Sequence, residues 1–254
     1  MSVWTIMLNT YRESIRNRVL LNILIFAMGL ILLSTVVGEW SLGEQARVIK
    51  DLGLSAMSVF GLLIAIFIGI RLMVQEMEQK TIYIIASKPI HRWQILIGKY
   101  LGLAITLLVN VMLMSLALMV VILLIEGMPD MSLLPAILLI MIEILVVVAF
   151  SLFFSSLMNP QLAAIATMTI YIIGHLANFF YDYIHVYPDK GFHWLFKVLY
   201  YSVPNLEKLN MKLAVVEHIP QPPFTVALSA LYGLCWVMGI LIVTVLVFNK
   251  KDFK

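Results

Sequence analysis

The stretch RLMVQEMEQKTIYIIASKPIHRWQILIGKY, residues 71–100, is a charged, amphipathic island between two long apolar runs. Glu76, Glu78, Lys80, Lys88, Arg92 and Lys99 are interleaved with Ile82, Ile85, Trp93 and Ile97, so one segment carries both a wettable face and apolar anchors. Proline removes an amide donor and disfavours helix at the residue before it, so Ser87-Lys88-Pro89 predicts a turn that splits the segment in two. Held at both ends by lipid-soluble chain, the segment reads as a handle that another protein grips. The plain alternative is a solvated loop whose positive charge sets topology.

The surroundings of the handle decide the fold class. With 62% apolar residues against 12% charged, and a mean hydropathy of +1.01, the chain has too little polar surface to wet one soluble core. An all-α integral membrane protein follows. The formal charge is only +3, so no nucleic-acid partner is implied. The single cysteine, Cys235, sits in an apolar run; it excludes a disulfide framework and a paired-cysteine metal site, and reads as a small packing residue.

Crossing the hydrocarbon takes about 20 residues at 1.5 Å each, and six runs are long enough, at 19–37, 54–70, 100–125, 133–157, 161–180 and 224–248. The second is short and is expected to extend at its N-terminal side; the third is long enough to tilt. The first exceeds a signal-peptide core and has no small-residue cleavage site after it, so it reads as a retained span. Six spans put both termini on the side of the handle and of the tight Met158-Asn159-Pro160 turn. That side carries eleven lysines and arginines against six on the other. The positive-inside rule then places the termini and the handle in the cytoplasm, in a multi-pass protein of the cell (inner or plasma) membrane.

Ahead of the first span, Trp4, Leu8, Tyr11 and Ile15 fall on one helical face and Asn9, Arg12, Glu13 and Arg16 on the other. This predicts an interfacial helix, either an anchor for the first span or a lever that also touches a cytoplasmic partner. No repeat or low-complexity linker divides the chain, which reads as one membrane domain over 1–254.

Ionisable groups inside spans are costly, about 2.5 to 3.5 kcal/mol at mid-bilayer on insertion scales, and are therefore functional suspects. Glu143 and His175 each lie 16 positions from Asn159, one before and one after it. In an antiparallel hairpin both stand about 24 Å from the turn and can meet. Two readings stay open: an inter-helix hydrogen bond that tightens the hairpin, or a lining of the substrate path. Asn110 is a further pathway candidate, with packing as its simpler role.

Residues 181–223 form a connection too long to be idle and too aromatic to be disordered. Tyr181, Tyr183, Tyr187, Phe192, Trp194, Phe196, Tyr200 and Tyr201 suit headgroup level, so short re-entrant or interfacial helices ending near Pro204 are expected, capping the outer mouth of a pathway. Asp182, His185 and His193 carry ligand chemistry suited to zinc or copper, but the pattern is common and no metal site is assigned.

Together, the basic amphipathic N-terminal helix, the six-span layout, Glu76-Met77-Glu78 running into TIYIIASKPIHRWQILIGKYLG, YYSVPNLEKLN between spans five and six, and the terminal FNKKDF resemble the permease subunits of ABC-2 type ABC transporters. The likeness covers nearly the whole chain and is strongest to the compact permeases associated with multicopper-enzyme maturation. Lys80 departs from the family pattern, which often has glycine there. The resemblance implies a homodimer of this permease domain above two copies of a separate ABC ATPase that binds ATP and magnesium, with no cofactor in this chain. It implies that the handle is a coupling helix seated on the ATPase, with Glu76, Glu78, Lys80, Lys88 and Arg92 as docking charges and Ile82, Ile85 and Trp93 as apolar anchors. Export is the direction it favours.

The sequence has no G-x-x-x-x-G-K-[ST] phosphate cradle, no H-E-x-x-H and no G-x-S-x-G. A non-enzymatic subunit driven by another chain's ATP hydrolysis is thus the leading reading. An ion-coupled secondary transporter using Glu143 and His175 as a proton relay is the alternative. An intramembrane enzyme ranks last, since no nucleophile and base pair stands at a plausible spacing.

Overall fold

A computed structural model describes residues 3–41, 44–78, 92–186, 193–217, 219 and 221–250, all helix, turn or coil with no strand among them. The α-helices are α1 (Val3–Ile15), α2 (Arg18–Glu39), α3 (Gln45–Glu78), α4 (Arg92–Glu126), α5 (Leu133–Leu157), α6 (Pro160–His175), α7 (Ala177–Val186), α8 (His193–Ser202), α9 (Lys212–Val216) and α10 (Pro223–Lys250). A short 3-10 turn, Leu206–Leu209, lies between α8 and α9. An all-helical answer is what lipid demands, since a helix satisfies its backbone donors and acceptors within itself.

Five helices are long and apolar enough to cross a bilayer, and α6 with α7, bent by 53°, makes a sixth if counted as one span. The ends of α2, α5 and α10 fall within two residues of the expected spans. Three spans differ. The second is longer at both ends, and the third begins at Arg92 rather than near Tyr100. The fifth is not straight: it breaks at Leu176, where Gly174 lies so close to Leu206 and the Pro204 carbonyl that a Cβ there would stand 2.7 Å from Leu206 Cγ.

The centre of the bundle is α3 and α5, which bury 72% and 67% of their apolar stretches, whereas α2, α4 and α10 bury only 28%, 33% and 33%. α2 and α4 flank α3, and α10 and α6 flank α5. The uniformly apolar circumference of α5 fits its central place, because an amphipathic stripe is useful only to a helix with one wet side. Where α3 meets α5 the contact is through Gly61 against Ile144 and Gly69 against Ser151. Small residues let backbones approach closely, which is how helices gain packing energy in lipid.

The far end of the bundle, opposite the handle, is stapled by ion pairs. Lys50, 2% exposed, reaches Glu126 at 2.8 Å and Asp130 at 2.7 Å, joining the start of α3 to the α4–α5 connection. Partial burial pushes the Asp130 carboxyl upward, but hydrogen bonds from Lys50 and Ser132 outweigh it and hold the group at about 2. Gly127, with φ of 74°, provides the left-handed turn that ends α4. Arg47 pairs with Glu217 at 3.2 Å. That pair returns the chain beyond α7 to the far end of α3, as a crossing by α6 and α7 requires.

At the other end, α1 is docked rather than only laid on a surface. Its face of Ile6, Met7, Thr10 and Ser14 is buried, while Trp4 is exposed. The docking surface is the first half of α4, where Gly98 lies under Ile6 and the Val3 carbonyl, and Gly102 under Thr10 and the Met7 carbonyl. Asn17 then ends α1 and starts α2 by accepting the Val19 amide at 3.0 Å. A larger residue at Gly102 has no room, so Gly102→Val is expected to cost about 1 to 3 kcal/mol and to lower the unfolding temperature in detergent. Gly239 meets nothing within 4 Å of a built Cβ, and Gly239→Ala is expected to leave that temperature within error. Equal behaviour of the two variants contradicts the docked arrangement of α1.

Candidate functional site

Glu76 and Glu78 continue α3, and Arg92 and Trp93 open α4, so the two ends of the handle are extensions of the second and third spans. Lys80, Ile82, Ile85 and Lys88, with the expected turn at 87–89, lie outside the described residues. Trp93 is exposed. The two extensions are tied together by Lys99, buried at 5% exposure, whose Nζ donates to the Leu72 carbonyl at 2.6 Å. α3 runs 34 residues without a break. At 1.5 Å per residue this is about 51 Å, against ~30 Å of hydrocarbon, so the helix projects well past the lipid.

Toward the far end, Glu143 and His175 meet as their equal distance from Asn159 predicts. His175 Nε2 lies 2.9 Å from Glu143 Oε1, and Glu143 is only 1% exposed. A third group, which the spacing argument did not reach, completes the arrangement: Glu207 Oε2 lies 3.2 Å from His175 Nδ1. Both Glu207 oxygens also accept from Asn210 Nδ2. An imidazolium has two N–H donors and satisfies both carboxylates at once, whereas a neutral ring needs one of them protonated.

The chain of contacts continues. Tyr171 packs edge-on to His175, with ring centroids 4.6 Å apart, and its hydroxyl lies 3.3 Å from Ser58 Oγ on α3. Four elements, α3, α5, α6 and the 3-10 turn, are thus joined by one polar line through the bundle. Glu143 Oε2 is buried with no hydrogen-bond partner. A carboxylate oxygen without a direct partner in the interior is costly, and the Tyr171 hydroxyl is near enough to Glu143 to interact with its carboxylate.

Glu207 reaches His175 because the 181–223 connection does not stay at the surface. Its first part does: α7 and α8 pair through Phe180–Phe196, Tyr183–Phe196 and Tyr181–Tyr200. The paired interfacial helices end at Ser202, near Pro204 as the sequence suggested. From Val203 onward the chain turns inward, burying Val203, Leu206, Leu209, Val215 and Val216. Asn205 fixes the entry, with its amide donating to Tyr232 Oη at 2.8 Å and its side chain to Asn178 at 3.0 Å. Apolar residues at every third position around Glu207, namely Val203, Leu206 and Leu209, were the available signal.

Other candidates are not brought together. Asn110 is buried and donates to the Thr106 carbonyl of its own helix at 2.7 Å, at a distance in sequence from the polar line. His185 bonds the Tyr181 carbonyl at 2.8 Å. Among the described residues no group of three His, Cys, Asp or Glu side chains is arranged to hold a metal ion, so Asp182, His185 and His193 do not converge. The carboxylates around His175 occupy opposite ring nitrogens, a line rather than a chelate. Between α5 and α10 runs an apolar groove of about 500 Å³, bordered by Phe150, Phe153, Tyr232, Trp236 and Gly239.

If the polar line ties the hairpin together, Glu143→Ala and His175→Ala are coupled. A double-mutant cycle on unfolding in detergent is expected to return about 0.6 to 1.7 kcal/mol of interaction. Strict additivity contradicts the bond.

Comparison with curated proteins gave no match to the chain. Residues 4–253 match the family described as ABC-2 family transporter protein, which spans nearly the whole sequence but specifies no subgroup. With an all-helical bundle of five to six candidate spans and no phosphate-cradling loop of its own, the chain belongs to the ABC-2 transporter family as a multi-pass membrane component without an ATPase domain, and that membership implies an ABC ATPase partner.

Proposed function

We propose that two copies of this chain form the permease of an ATP-driven exporter, powered by two copies of a separate ATPase that binds ATP and magnesium. Both termini and the handle face the cytoplasm, and the protein resides in the cell membrane. The observation that carries this reading is the unbroken run of α3 from Gln45 to Glu78, tied by Lys99 to the start of α4. A push delivered to the end of α3 meets no break in that helix before it reaches the centre of the bundle. Packed interfaces have discrete arrangements, and a small shift at the ends of α3 and α4 is thereby converted into a change of helix packing.

Docking uses the acidic pair Glu76 and Glu78, the cations Lys80, Lys88 and Arg92, and the anchors Ile82, Ile85 and Trp93. α1, docked on Gly98 and Gly102, moves with α4 and acts as a lever rather than a passive anchor. Toward the far side, Glu143 and His175 border the path, and the orphaned Glu143 oxygen is the point at which a polar group of the cargo is held. α7 and α8 cap the mouth. The line of Glu207, His175 and Glu143 also supports the second reading, a proton relay in an ion-coupled carrier, which needs neither an ATPase nor a handle.

Purification in mild detergent separates the two. The ATPase is expected to co-purify with the wild type, and E76K/E78K to reduce its recovery about tenfold, as loss of close charge pairs at an interface does. Undiminished recovery contradicts the docking role. In proteoliposomes containing the ATPase, Glu143→Ala is expected to impair ATP-dependent export with the protein still inserted and dimeric. Full activity removes Glu143 from the path, and transport on a proton gradient without nucleotide favours the carrier.

A further inference from the structure

Where the α1–α2 elbow meets α3, a cleft of about 160 Å³ is lined by Glu13, Ser14, Arg16, Asn17, Arg71 and Leu72. It lies beside the Lys99 tie and at the start of α2, whose first turn is capped by Asn17. Ser14 is 2% exposed and its hydroxyl has no hydrogen-bond partner. Arg16 comes from the α1–α2 elbow and Arg71 from α3; neither pairs with a carboxylate among the described residues, and both border the same space. Two guanidiniums against one carboxylate leave the cleft net positive.

We propose that this cleft binds a phosphate group, and specifically the headgroup phosphate of a membrane phospholipid. Guanidinium forks match phosphate oxygens in geometry as well as charge. The orphaned Ser14 hydroxyl supplies a further donor, and the N-terminal end of α2 adds the positive pole of a 22-residue helix. The lipid source follows from the surface next to the cleft, since exposed Leu21 and Ile25, one turn apart on α2, begin an apolar face shortly after Asn17. Acyl chains lie along that face when the phosphate sits at the elbow. A seated phosphate bridges Arg16 on the elbow to Arg71 on α3, so lipid occupancy fixes the angle of the α1 lever relative to the helix that enters the handle. The inference stands whether or not the ATPase reading does.

The test is photo-crosslinking of the full chain in phosphatidylcholine nanodiscs containing phosphatidylglycerol with a headgroup diazirine, with labelled peptides mapped by mass spectrometry. Wild type is expected to label at 13–17 and 68–72. R16Q/R71Q is expected to lose that labelling by about tenfold or more, S14A by several-fold, and R16K/R71K to retain only part of it, since lysine keeps the charge but not the fork. Equal labelling of wild type and R16Q/R71Q overturns the site. Inorganic phosphate added at millimolar concentration is expected not to compete. Loss of labelling on its addition assigns the cleft to free phosphate and overturns the lipid source.

Discussion

Hydrocarbon offers no solvent to a polar side chain, and the placement of every interior polar contact in this protein follows from that. Each ionisable group inside the bundle needs a partner supplied by the protein itself. The result is a bundle whose polar contacts gather at two levels. At the far end, Lys50 holds Glu126 and Asp130, while His175 holds Glu143 and Glu207. At the handle end, Lys99 holds the Leu72 carbonyl. Between them the helices meet mainly through apolar side chains and through Gly61 and Gly69, with hydroxyl contacts from Ser151 to the Ala65 carbonyl and from Tyr100 to the Leu145 carbonyl. Breaking one member of a buried pair leaves the other charged and unpaired, which costs about 3 to 5 kcal/mol. The levels are therefore stiff, and the glycine-lined contacts between them are where helices can slide.

This division suits a machine driven from one end. The handle joins two helices that are rigid through the lipid, and α1 is packed onto the second of them at Gly98 and Gly102. In the proposed mechanism, force delivered at Glu76, Glu78 or Trp93 is carried by α3 and α4 together. The far end resists through its ion pairs.

Much of the fold could be read from residue order because lipid makes length and hydropathy decisive. Spans one, four and six required nothing else. The meeting of Glu143 and His175 was readable because a tight turn at Asn159 makes the register of a hairpin a matter of counting. Glu207 was not, since its approach depends on a long connection folding back into the bundle, and aromatic composition argued only for a surface position. The bend at Leu176 has the same origin, because Gly174 gives way to Leu206 from that returning segment. The buried face of α1 was missed for a different reason. Trp4, Leu8, Tyr11 and Ile15 form the stronger apolar stripe, but the tighter contact belongs to small residues, and Gly98-x-x-x-Gly102 was the signal in the sequence that pointed to it.

The account rests on the handle lying on the ATPase side of the membrane and being covered by that partner. The direct measurement is the labelling of Lys88→Cys, in a Cys235→Ser background, by a membrane-impermeant maleimide. Position 88 is expected to react in inside-out vesicles, to be protected when the ATPase is bound, and to be silent in intact cells. Labelling from the outside of intact cells, or labelling in vesicles that is indifferent to the ATPase, contradicts it.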